Sequence, residues 1–128
     1  MLIYLGFYRR RPDLSLEQFF HHWHDVHGPL MRRIADENPG LLTKYVQHHL
    51  TPDQSYPAIS GAALDFTQSG FDGFSEAWFE DETARDAFFG LPEFQTEGMA
   101  DEKLFLDLDA TRWVVLDRPR TIVDVLAD

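Results

Sequence analysis

The apolar positions of the chain change period from one stretch to the next, and each change marks an element. "LIYLGFY" (2–8) is apolar, rich in β-formers and ends in charge, which predicts a buried strand. "RRPDLS" is a turn. Ser15 opens "SLEQ", a capping-box pattern, so a helix is expected from Leu16 to about Asp36. Pro39-Gly40 stops it, and "LLTKYVQHHL" (41–50) reads as the second strand. A stretch rich in Pro, Ser, Gly, Asp and Gln runs from Thr51 to about Gly70. It is long for a loop and suggests a lid or a short strand around "AALDF". "FSEAWFE" alternates as a third strand. "DETARDAFFG" is a short helix with Asp81 or Thr83 near its cap, and "PEFQTEGMADEKLF" a partial helix and loop. "ATRWVVLD" is the fourth strand, and the apolar tail "TIVDVL" a possible fifth.

The order β-α-β-β-α-β is the split βαβ, or ferredoxin-like, pattern of an α+β fold, here one domain over residues 1–128. Two helices cover one face of the sheet. The strands also carry apolar residues on the other, so a second copy of the chain is expected there, closing a dimeric α/β barrel. The space between sheet and first helix, or inside the barrel, is a natural pocket.

Composition narrows the partners. A formal net charge of −11 opposes binding to phosphate backbones, so no nucleic acid is expected; Arg9, Arg10 and Arg11 form the only basic run. There is no cysteine, hence no thiolate site or disulfide. No apolar run reaches membrane length and the N-terminus lacks the flanks of a signal peptide, so a cytoplasmic protein without membrane contact is expected.

Four of six histidines fall in "HHWHDVH". Projected at ~100° per residue, Phe19, Phe20, Trp23, His27, Leu30 and Ile34 share one apolar arc. His24 and Met31 flank it; His21, His22 and Asp25 lie outside, facing water or a partner. This scatter, with no H-E-x-x-H motif, leaves no metal expected. His27 precedes Gly28-Pro29, where the missing N–H of Pro29 is expected to break the helix and open a pocket beside a titratable group. Alternation puts Tyr45, Gln47 and His49 on one side of the second strand, and Lys44, Val46, His48 and Leu50 on the other. His27, His49 and Tyr45 are the candidate catalytic groups; Trp23, His24, His48, Tyr56 and Trp78 are candidate substrate contacts, although core packing also accounts for the two tryptophans. No phosphate loop, nucleophile elbow or Rossmann fingerprint is present, so no cofactor is expected.

"SLEQFFHHWHDVHGPL", with its W-x-x-x-H-G-P-L core, resembles the EthD family, as do "KYVQHHL", "DGFSEAWFED" and "RWVVLDRPRTIV". The resemblance implies a dimeric α+β barrel. It marks Trp23, His27, Gly28 and Pro29 as matching positions, with His27 the natural acid/base group. The family is named for an ether-degradation gene cluster and its members are often labelled oxidoreductases; relatives in polyketide pathways look like cofactor-free decarboxylases, dehydratases or cyclases. Three functions follow: cofactor-independent acid/base chemistry on an aromatic or polyketide-like substrate, cofactor-free oxygenation, and carriage of a hydrophobic metabolite.

Overall fold

The computed structural model describes residues 1–51 and 70–126. Tyr56 and the short strand expected around "AALDF" lie outside the described residues. Strand β1 (Leu2–Tyr8) leads into α1 (Leu16–His21), a π-helical turn (His22–His27) and α2 (Gly28–Glu37), which follow one another without a break. Strands β2 (Lys44–His49) and β3 (Gly73–Phe79), helix α3 (Glu82–Phe89), a second π turn (Phe94–Gly98), α4 (Met99–Phe105) and β4 (Arg112–Leu116) complete the order. The sheet is antiparallel throughout, in the order β2-β3-β1-β4. This is the expected α+β, ferredoxin-like subunit.

Local chemistry accounts for the element ends. The Ser15 hydroxyl accepts from the Gln18 N–H at 3.1 Å, and the Gln18 side chain accepts from the Ser15 N–H at 2.9 Å, a full capping box. Asp81 accepts from the Ala84 N–H at 2.9 Å and starts α3. Gly40 takes a φ of 85°, a left-handed conformation that side chains disfavour, and so turns the chain from α2 to β2.

The helices lie on the face of Gly73, Ser75, Ala77 and Phe79, the buried half of β3. Two apolar clusters fill the space between. Leu2, Met31, Ile34, Phe79, Phe88 and Phe94 form one; Tyr8, Phe19, Trp23, Phe105 and Leu106 the other. In the second, the Trp23 indole lies against Gly73: a Cβ there would come within 2.6 Å of the ring, so only glycine admits the tryptophan.

Three expectations need correction. The helix does not break at Gly28-Pro29. One extra residue in the turn carries the Gly28 N–H to the Trp23 carbonyl, an i→i−5 bond, and this wider turn accommodates the proline without interrupting the helix. Residues 92–105 form a continuous helical stretch, not a partial one. Pro92 sits in its first turn, where a missing N–H costs nothing, and Gly98 lies so close to the Phe94 ring that a Cβ would meet it at 2.9 Å. The tail over 121–126 is in no strand; Ile122, Val123, Val125 and Leu126 are almost fully exposed and pair with no edge of their own sheet.

Candidate functional site

The π turn presents side chains in two directions. Towards α4 it turns His22 and His27. His27 is buried, and its Nδ1–H donates to Asp101 Oδ2 at 2.8 Å. His22 Nε2–H donates to the other oxygen of the same carboxylate, also at 2.8 Å. Both rings pack on Phe105. His22 was expected to face water or a partner. The projection at a constant α-helical angle misplaces it, because an i→i+5 turn brings residues five apart onto one side. Burial pushes the Asp101 carboxyl up, but the hydrogen bonds from His27 and His22 outweigh it and hold the group below the usual aspartate range.

Towards β2 the turn presents Trp23 and His24. The Trp23 Nε1–H donates to the Tyr45 hydroxyl at 3.3 Å, and Gln47 Nε2 donates to the Trp23 carbonyl at 2.8 Å. Gln47 Oε1 accepts from His49 Nε2 at 3.0 Å. The His49 ring stacks on Phe20, with centroids 4.6 Å apart, and on Trp23 at 4.7 Å. His24 stands edge-on to it at 6.0 Å. Burial, then the charges of His24 and His48, push the His49 pKa down, so its imidazole is neutral near pH 7. Burial raises Tyr45 to about 12, against the smaller lowering effect of its hydrogen bonds to Trp23 and Gln47, so its phenol stays protonated.

Two open grooves border this network. One, of about 690 Å³, is lined by Leu16, Phe20, His21, His24 and His49. The other, of about 590 Å³, is lined by His24, Pro29, Tyr45 and Gln47. His24 borders both.

The candidates therefore divide. Trp23, His24, Tyr45 and His49 come together beside the grooves. His27 is turned away from them, onto Asp101. His48 and Trp78 lie on the opposite face of the sheet, where His48 Nε2 meets Glu76 at 2.6 Å and stacks on Phe74, and Lys44 Nζ lies 5.1 Å from the Trp78 ring centre. Among the described residues, no group of three or more His, Asp or Glu side chains is placed to hold a metal ion.

Three residues were missed. Asp101 shares the buried face of Phe94, Gly98 and Phe105, a spacing of 94, 98, 101, 105 that marks an acid on an apolar stripe. Gln47 was placed on the correct side of its strand but given no role. Glu102 gave no signal in the sequence; burial, then the Asp101 charge, raise its pKa to about 7.

An EthD domain model matches residues 11–109. The chain belongs to the EthD family. This EthD protein is also similar in fold to an EthD-family protein from Bacillus halodurans (18% identity, TM-score 0.64, covering 93% of this chain and 99% of that one). It is similar to a cofactor-independent oxygenase from Streptomyces nogalater (9% identity, TM-score 0.59, 96% and 97% covered). A third likeness is to a dimeric ferredoxin-like protein of unknown function from Jannaschia (17% identity, TM-score 0.60, 91% and 98% covered). No protein of curated function matches the EthD chain significantly.

Proposed function

We propose that this protein is a cytoplasmic, homodimeric enzyme that carries out cofactor-independent acid/base chemistry on a flat aromatic or polyketide-like molecule. The reaction is a decarboxylation, dehydration or isomerisation in a degradative or secondary-metabolic pathway. The observation that carries the reading is His49: an imidazole with a depressed pKa, braced by two aromatic rings in a groove wall and linked through Gln47 to the protonated phenol of Tyr45. Stacking takes up the ring's face and leaves its edge, with the nitrogen not held by Gln47, for proton transfer. We assign the base role to His49 and give His27, clamped on Asp101, an anchoring one. Tyr45 donates a hydrogen bond to a substrate carbonyl; Phe20 and His24 form the walls, and the buried Trp23 backs His49 and Tyr45 from behind. A positioned base contributes about 10²–10⁴-fold.

Two observations support the dimer. The sheet face away from the helices carries Phe74 and Trp78, and the edge strand β4 and the tail leave Trp113, Val114, Ile122 and Leu126 exposed. Light scattering at micromolar concentration is expected to give twice the 14.9 kDa of one chain; a monomer would refute the assembly.

The test of the chemistry is incubation with a panel of phenols and β-keto acids, followed by mass spectrometry with and without oxygen. Loss of carbon dioxide or water, or an isomer of unchanged mass seen by NMR, independent of oxygen, is the expected result. A product that has gained one oxygen atom and lost two hydrogens, formed only in air with water as the by-product, would establish the second reading, cofactor-free oxygenation, which the fold of the Streptomyces nogalater oxygenase favours. Saturable binding without turnover would make the protein a metabolite carrier.

A further inference from the structure

We infer that Gln47 is a positioning residue that fixes which nitrogen of His49 carries the proton, so that the neutral imidazole presents Nδ1 as its acceptor. This rests on the base role proposed for His49.

The argument begins at the π turn. The Trp23 carbonyl already accepts the Gly28 N–H, and it also accepts a hydrogen bond from the Gln47 side chain at 2.8 Å. A carbonyl only accepts, so the Gln47 atom facing it must be the amide nitrogen. Turning the amide over would set two oxygens against each other. With the nitrogen committed to Trp23, and more distantly to the Tyr45 hydroxyl at 3.5 Å, the amide oxygen is the atom left to face His49. It lies 3.0 Å from His49 Nε2. An amide oxygen only accepts, so Nε2 must hold a hydrogen. A neutral imidazole has one N–H, and Nδ1 is then the bare nitrogen.

The chain of bonds thus runs from the backbone of an irregular helix, through a strand glutamine, to a strand histidine two residues on. No link in it has the option of reversing: the carbonyl cannot donate, and each later group is oriented by the one before. A neutral amide also leaves the basicity of His49 undisturbed by a neighbouring negative charge, in contrast to the carboxylate that holds His27.

The experiment is nitrogen-15 NMR of the histidine side chains in the full-length protein, well above the histidine pKa so that the ring is neutral. Wild type is expected to show His49 protonated on Nε2, with an N–H resonance protected from solvent exchange. A free imidazole already leans towards that form, so protection as well as tautomer identity is read. Gln47→Met, similar in length but unable to accept well, is expected to lose the protected resonance and to show a measurable fraction of the Nδ1–H form. A backbone amide spectrum confirms that each variant is folded. His49 protonated on Nδ1 in wild type, or full protection persisting in Gln47→Met, would overturn the inference. Once a substrate is known, Gln47→Met is expected to lower kcat at least 10-fold with KM little changed. If the resonances behave as expected but neither Gln47→Met nor His49→Gln affects turnover, the positioning holds and the base role of His49 falls.

Discussion

The two sides of the π turn use the same residue type to opposite ends. Towards α4, two histidines share one carboxylate, buried and charge-assisted, with both oxygens engaged. Towards β2, His49 meets a neutral amide and two aromatic rings at a groove. A carboxylate strengthens a hydrogen bond and holds structure; an amide orients a ring without adding charge. The number of imidazoles is therefore a poor guide to chemistry, and the partner of each is a good one.

The largest expected effect comes from breaking the α4 side. Asp101→Ala leaves His22 and His27 without their shared acceptor and is expected to cost about 3 kcal/mol of stability in a denaturant melt, while folded protein keeps its turnover. Equal loss of turnover per folded molecule would merge the two sides into one site. His49→Gln is the converse: about 10²-fold less turnover with a melting temperature within a few degrees of wild type. In wild type the acid limb of the pH–rate profile is expected below 6.5, because a base with a lowered pKa stays unprotonated further into acid.

Glu102 gives a smaller effect with a definite sign. Its folded pKa of about 7 lies above its ordinary 4.5, so the folded state holds its proton more tightly than the unfolded one. Its contribution to stability is full below pH 4.5, declines through that window and is lost above pH 7. Glu102→Gln is expected to match wild type near pH 4 and to exceed it at pH 8 by on the order of 1–3 kcal/mol. A flat difference across pH would refute the shift. Asp101 works the other way: its lowered pKa contributes stability above 3.8 that is lost as pH falls through the folded value. The smallest effect is His21→Gln. That ring is exposed and paired with the likewise exposed Asp25, so stability is expected to stay within ~0.5 kcal/mol of wild type.

The element order, the Ser15 capping box, the two faces of β2 and the apolar arc through Phe19, Trp23 and Ile34 were legible because each rests on a local period or cap. The departures in the helices share one cause. A projection assumes a constant turn per residue, and two π turns violate it. The first moved His22 onto Asp101; the second lies within residues 92–105, the stretch expected to be a partial helix and loop. Gln47 was beyond the sequence for another reason: its role depends on which backbone carbonyl faces it across the fold. Asp101 was within reach, since an acid on a buried helical stripe requires a partner.

A π turn is an α-helical turn with one residue inserted, and so it is reversible by deletion. Removing the exposed Val26 would bring the Gly28 N–H to the Trp23 carbonyl as an ordinary i→i−4 bond. His22 and His27, now five apart, would stand four apart and still share a side of the helix. The clamp on Asp101 would then persist in a shorter, narrower helix, while the Trp23 carbonyl would meet Gln47 from a different position. One codon, rather than any change in side-chain chemistry, thus separates the anchoring of this helix from the shape of its groove.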